Sequence, residues 1–241
     1  MTAAMLLPMS LAVFAGAGTQ RVTGLGFALV AGPLLTLLLG PADGVRLLNL
    51  LSLLSCLVVL PAVWREIDAR QVFRLALPAL LVLPVGAWAA TRIPGGPLMV
   101  VEGVLVLAAL YALRRFPNPR WLRGPAGAAG TGVASGLMNV TAGLGGPAMT
   151  LYATATGWER RSFVASMQLY STLVNAGSIT AKGLPDLPAH TLALSAVCVL
   201  SGAFAGHLIS PHVGRRRIRQ AVLAMAAAGG AAAIIKGVIT L

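Results

Sequence analysis

The chain has 241 residues, 57% of them hydrophobic and only 10% charged, with a formal net charge of +12. A soluble domain carries roughly 25% charged residues, so this balance excludes an ordinary water-soluble fold and points to a polytopic membrane protein. The positive charge does not mark a nucleic-acid-binding domain: the Lys and Arg residues stand in short clusters between apolar runs, as loop residues of membrane proteins do.

Apolar runs fall at 3–18, 25–39, 45–63, 75–91, 97–113, 126–138, 146–157, 162–181, 189–210 and 218–239. About 20 residues are needed to cross a hydrocarbon core about 30 Å thick. The runs 45–63, 75–91, 97–113, 162–181, 189–210 and 218–239 reach or approach that length. The other four are short, and they flank two polar, glycine-rich interruptions. Residues 1–10 hold no positive charge, so a cleaved signal peptide is not expected.

The first interruption, 19–33, reads TQRVTGLGFALVAGP; the second, 139–150, reads NVTAGLGGPAMT. Gly24, Leu25 and Gly26 match Gly143, Leu144 and Gly145 at an offset of 119 residues. Broken helices are tolerated at membrane depth only where protein or a water-filled cavity covers them. A pair of them at matching places in two halves points to a transporter's binding site.

Either each interrupted segment crosses the membrane once, or each is a re-entrant hairpin that dips to mid-membrane and returns. The crossing topology places nine Lys and Arg on one side and eight on the other. The hairpin topology gathers thirteen on one side (Arg65, Arg70, Arg74, Arg114, Arg115, Arg120, Arg123, Arg160, Arg161, Arg215, Arg216, Arg217 and Arg219). It leaves four opposite them (Arg46, Arg92, Lys182 and Lys236), with Arg21 at a tip. Cytoplasmic loops are enriched in Lys and Arg, so the hairpin topology is preferred, with both termini outside. The expected fold is therefore an all-α polytopic membrane protein. One transmembrane domain holds two inverted repeats, 1–115 and 125–241, joined by a linker at 116–124. Each repeat is a re-entrant or broken helical hairpin plus three transmembrane helices, and inverted repeats are common in secondary transporters.

The 119-residue offset also places Asn49 on Gln168 and Ser52 on Ser171. Asn49, Ser52 and Cys56 share one helix face, as do Gln168, Ser171, Thr172, Asn175 and Ser178. Such stripes either line an aqueous path or hydrogen-bond a neighbouring helix. Arg21 is expensive at membrane depth without a partner. It either meets an anionic substrate, snorkels to a surface, or pairs with Glu102, the one acid inside an expected span. Each glycine break starts a new helix whose free N–H groups and positive dipole end suit an anion. The candidate binding set is therefore Arg21, Thr23, Gly24, Gly26, Asn49, Ser52, Asn139, Thr141, Gly143, Gly145, Gly146, Gln168, Ser171 and Asn175. Glu102 and His207 are candidates for a proton relay, although His207 equally suits an interhelical hydrogen bond. Cys56 and Cys198 read as buried, inert thiols. No nucleophile, metal or nucleotide motif stands out, so neither an enzyme nor a cofactor is expected.

The segments GLGFALVAGPLL (24–35), GLMNVTAGLGGPAMTLY (136–152) and LALPALLVLPVGAWAATRIP (75–94) resemble the sulfite exporter TauE/SafE family of bacterial membrane permeases. That family is also called the 4-toluene sulfonate uptake permease family. The first copy departs from its usual pattern at Phe27 and Ala28, and the second at Pro147 and Tyr152. The resemblance implies an inner-membrane secondary transporter for sulfite, sulfoacetate or related sulfonates, embedded in the lipid bilayer. A coupling proton or cation and a homodimer stay open, as do a non-sulfur organic anion and a non-transporting assembly subunit.

Overall fold

The computed structural model describes residues 3–23, 26–209 and 215–240, with side chains at 5–20, 27–209 and 220–240. Among them are ten α-helices: α1 (Ala3–Thr23), α2 (Gly26–Leu39), α3 (Pro41–Val63), α4 (Ala69–Arg92), α5 (Gly95–Arg115), α6 (Gly124–Ala142), α7 (Gly146–Thr156), α8 (Arg160–Lys182), α9 (Ala189–Ile209) and α10 (Arg215–Ile239). Among the described residues there is no strand. Five helices, α3, α4, α5, α9 and α10, are long and apolar enough to cross a membrane. At 23 residues α8 has the length as well, but its polar stripe keeps it out of that apolar class.

Polar and apolar residues are distributed inside out relative to a water-soluble protein. Asn49, Asn139, Gln168, Asn175 and Ser178 are buried. Phe73, Leu77, Leu81, Val85 and Trp88 form an exposed stripe along α4, with Leu81 71% exposed. Lipid, not water, is the solvent that such a surface fits. The protein is a multi-pass membrane protein.

Local chemistry sets the helix ends. Asp68 caps α4 by accepting from the Gln71 N–H at 3.0 Å. Glu159 caps α8, accepting from the N–H groups of Arg161 (2.9 Å) and Ser162 (2.8 Å). These bonds hold its carboxyl below the usual carboxylate range. Gly143 ends α6 in the left-handed region at φ 70°, donating its N–H to the Asn139 carbonyl at 2.8 Å, while Leu144 donates to Met138 at 3.1 Å. Glycine adopts that conformation without the Cβ penalty other residues meet.

Both interrupted segments fold back as helical hairpins. Gly16 of α1 lies against Phe27 and Ala31 of α2, and Gly145 lies against Ser135 and Asn139 of α6. The first arms are longer than the runs 3–18 and 126–138 suggested, because the polar residues 19–23 and 139–142 stay helical. At 1.5 Å per residue, α1 is about 31 Å long and α6 about 28 Å. Both lengths are close to the thickness of a hydrocarbon core, about 30 Å. Only the returning arms, α2 with 14 residues and α7 with 11, are short.

The packing has a two-fold pattern. α1 packs on α9 as α6 packs on α4, while α3 meets α8 and α5 meets α10. Gly202 and Gly206 of α9 lie on the backbone of Phe14 and Gly18. Gly132 and Gly136 of α6 lie on the backbone of Leu75 and Ala79. Small residues four apart let membrane helices approach this closely. Three apolar clusters fill the bundle, centred on α4, α6 and α8, on α1, α2 and α3, and on α2, α5 and α10.

Contacts between loops sort the two ends of the bundle. At one end Arg161 pairs with Glu66 (2.6 Å), Arg123 Nε donates to the Ala155 carbonyl (2.6 Å), and the Asp68 N–H donates to Ser166 (2.9 Å). At the other end the Asp186 N–H donates to Asp43 (3.1 Å) and Lys236 Nζ donates to the Leu37 carbonyl (2.6 Å). Glu66 and Arg161 therefore share an end, which hairpins allow and single crossings do not.

A Cβ added at Gly136 would sit 2.7 Å from the Ala79 carbonyl oxygen, whereas one at Gly130 would meet nothing within 4 Å. Gly136→Val is expected to lower the thermal transition in detergent by overpacking, at a cost of about 1–3 kcal/mol. Gly130→Ala on the same helix should leave it unchanged or raise it.

Candidate functional site

The middles of α3 and α8 pass the two hairpin tips and enclose one cavity of about 60 Å³ with them. Gln20 lines it from α1, Phe27 and Ala28 from α2, and Ser52 and Cys56 from α3. From the second half come Asn139 of α6, Gly143 and Gly145 of the turn, and Gly146 of α7. Met167, Gln168, Tyr170, Ser171, Val174 and Asn175 of α8 complete the wall. This volume takes a few waters or one small oxyanion.

The bonds around the cavity divide its polar groups into used and unused. Asn139 Nδ2 donates to Asn175 Oδ1 (3.3 Å) and to Ser178 Oγ (3.0 Å), tying α6 to α8. Ser135 Oγ donates to the Gly145 carbonyl at 2.8 Å and holds the turn. Cys56 of α3 and Ser171 of α8 line the cavity from opposite helices. By contrast, Gln20 Oε1, Gln168 Oε1 and both polar atoms of Asn49 are buried with no protein partner. A buried polar atom left unpaired costs about 1–3 kcal/mol. No side chain caps the start of α7, and Pro147 brings no N–H, so the first N–H groups of that helix point at the turn without a side-chain acceptor. Among the described residues that line the cavity none is charged.

Eight of the residues expected from sequence therefore lie together: Ser52, Asn139, Gly143, Gly145, Gly146, Gln168, Ser171 and Asn175. Asn49 sits just outside, where a Cβ on Gly143 would come 3.7 Å from its Oδ1. Thr141 is also outside and donates its hydroxyl to the Leu137 carbonyl at 2.7 Å. Gly24 lies outside the described residues; Arg21, Thr23 and Gly26 belong to helices, but their side-chain positions lie outside the described set as well. Glu102 faces a different, smaller cavity, and His207 is exposed in the last turn of α9. Among the described residues no three His, Cys, Asp or Glu side chains gather as metal ligands would.

Sequence reasoning missed Gln20, Phe27, Ala28, Met167, Tyr170 and Val174; it placed Cys56 on the stripe with Asn49 and Ser52 but left it out of the binding set as an inert thiol. The 119-residue offset held the signal for some of them. It pairs Gln20 with Asn139, Phe27 with Gly146, Ser52 with Ser171 and Cys56 with Asn175. All eight of these residues line the cavity.

An all-helical, multi-pass membrane protein whose two halves both contribute to one polar cavity is the class this fold and site define. The chain belongs to the TauE/SafE sulfite exporter family, whose model, Sulfite exporter TauE/SafE, matches residues 9–233. No curated protein and no solved structure matches it. By its name the family is one of membrane exporters, transporters and not enzymes.

Two amides near the cavity should respond oppositely to removal. Asn139→Leu breaks two interhelical bonds and should destabilise the ligand-free protein by about 1–3 kcal/mol. Asn49→Leu removes an amide that no protein group satisfies, and should leave the thermal transition unchanged or raise it. Melting curves of the purified variants in one detergent compare them directly.

Proposed function

We propose that the protein is a secondary permease for small sulfur-containing anions, such as sulfite, sulfoacetate or other organosulfonates, held in the central cavity between the hairpin tips. The carrying observation is that residues matched at one offset in the two halves line a single cavity whose nearby amides lack protein partners. Sulfite and sulfonate oxygens are strong acceptors. Donors that suit them are the hydroxyls of Ser52 and Ser171, the amide N–H group of Gln20, and the uncapped N–H groups at the start of α7, with Asn49 just behind the wall. The positive ends of α2 and α7 add a field that favours an anion. Arg21 supplies the full countercharge in this reading.

The family supports an anion exporter or permease as the class, and the sulfur anions follow from its name. In the mechanism proposed, the first five helices and the last five are inverted repeats. Rocking of one against the other opens the cavity alternately to each side. The two-fold packing pattern supports this, because exchanging the halves maps the α1–α9 contact onto the α6–α4 contact. The protein resides in the bacterial inner membrane with the thirteen-residue basic end cytoplasmic and both termini outside, as the Lys and Arg bias favours.

Flux in proteoliposomes tests the function. Purified protein should accelerate entry of radiolabelled sulfite or sulfoacetate over empty liposomes, and Arg21→Ala should reduce that flux at least about tenfold while keeping its melting curve. Loss of one charge-assisted contact, about 1.5–3 kcal/mol, corresponds to that range. Flux no faster than in empty liposomes for every sulfur anion tried sinks the permease reading.

Orientation has a separate test. In a protein whose Cys56 and Cys198 are replaced, single cysteines in 40–45 and 183–189 should react with an impermeant maleimide added to intact cells. A cysteine in 116–119 should react only after the cells are opened, and the reverse pattern overturns the assigned orientation.

A further inference from the structure

Glu102 is buried in α5 at 4% exposure, in a small cavity separate from the central one. Thr36 of α2 lines the same cavity, Lys182, the last residue of α8, bears on the carboxyl electrostatically, and Glu102 Oε1 has no protein partner. The cavity measures about 10 Å³, at the threshold for a single water. One carboxylate and one hydroxyl fall far short of the six or so oxygens that a hard metal cation takes. The site fits a proton.

The charged groups around it are few. Lys182 comes from α8, and its Nζ donates to the Val140 carbonyl at 2.7 Å. Arg46 of α3 bears on Lys182 and is itself paired with Asp43 at 3.3 Å. Lys236 of α10 turns to the Leu37 carbonyl. α2, α6 and α7 contribute no charged residue, and Tyr152 of α7 faces Gln71 at 3.3 Å. Lys182 is therefore the principal countercharge of Glu102.

One turn separates this cavity from the central one. Ala142 and Leu144 line the Glu102 cavity, while Gly143 and Gly145, alternating with them, line the central cavity. Val140, which holds Lys182, directly follows Asn139 of the central cavity. The state of the Glu102–Lys182 pair therefore reaches the anion cavity through a wall one residue thick.

We propose that Glu102 is a proton site coupled to the anion cavity, so that the protein carries a proton and an anion together. With Glu102 ionised, its charge partly offsets that of Lys182. When a proton from one compartment adds to the Glu102 carboxylate, the Lys182 charge is left uncompensated beside the turn, and an anion in the central cavity becomes more favourable. Release of the anion reverses the balance, and the proton leaves to the other compartment. Proton and anion bind with positive coupling, as reciprocal linkage requires. This inference rests on the permease reading and adds its driving ion.

The test uses the full-length protein and sulfoacetate, whose charge is constant between about pH 6 and about pH 8. Wild-type affinity should be about tenfold tighter at the lower pH, within the usual range of coupling between sites. Glu102→Gln mimics the protonated form and should bind tightly at both values; Lys182→Met should bind weakly at both. A folding defect does not produce the tighter binding expected of the glutamine variant. In proteoliposomes Glu102→Gln should exchange labelled for unlabelled sulfoacetate but lose accumulation driven by a pH gradient. Wild-type affinity that is the same at both pH values, or gradient-driven accumulation that survives in Glu102→Gln, overturns the coupling while leaving the permease standing. Wild-type protein that neither binds nor moves sulfoacetate or sulfite overturns the permease reading, and the coupling falls with it.

Discussion

Inside a membrane every polar group must find its partner within the protein, and the turn at residues 143–145 is where that constraint is met most tightly. Ending α6 there frees carbonyls that water would otherwise cover. Gly143 and Leu144 return their N–H groups to Asn139 and Met138, and Ser135 satisfies the Gly145 carbonyl. The reversal lets α7 start beside the middle of α6 and leaves room for a cavity next to the break. Were the helix to continue, α6 would be one more spanning rod, and α3 and α8 would close on it directly.

The rest of the bundle holds this turn and its counterpart in the first half in place. Glycine seams press α9 onto α1 and α6 onto α4 at backbone contact, so the long arm of each hairpin is anchored on a helix from the other half. The anchor crosses between halves, which makes the two hairpins mechanically dependent on one another. The short arms are packed as well. α2 borders the seam where α5 meets α10, and α7 packs on α6, α5 and the 120–122 turn, with Met149, Tyr152 and Ala155 buried in the cluster of α4, α6 and α8.

The polar groups fall into two kinds with different physical consequences. Asn139, Asn175, Ser178 and Ser135 spend their hydrogen bonds on each other or on the turn, and so contribute rigidity. Gln20, Asn49 and Gln168 keep polar atoms unpaired at a cost to the empty protein. Of these atoms only the Asn49 amide N–H can donate to an anion; the Gln20 and Gln168 oxygens are acceptors, which water or another donor would satisfy.

Composition and spacing made a good part of this legible. The low charge content determined the membrane class, because so little charge cannot coat a soluble surface. The glycine breaks and the 119-residue offset located both tips and the polar stripes of α3 and α8, since helix periodicity places Ser52 and Cys56, or Gln168, Ser171 and Asn175, on one face whatever they pack against. The Lys and Arg clusters marked which loops share an end. Tertiary structure alone decided which of these residues meet. Thr141 turned to its own helix, while its near neighbour Asn139 reached across to α8, and no spacing rule distinguishes a hydroxyl that back-bonds from an amide that bridges. It also decided how far the arms run: the stretches 19–23 and 139–142 read as breaks because they hold polar residues, yet both are helical. The separation of Glu102 from the central cavity by a single turn is likewise a fact of packing, since the two lie about forty residues apart in the chain and only the fold brings them to opposite faces of one wall.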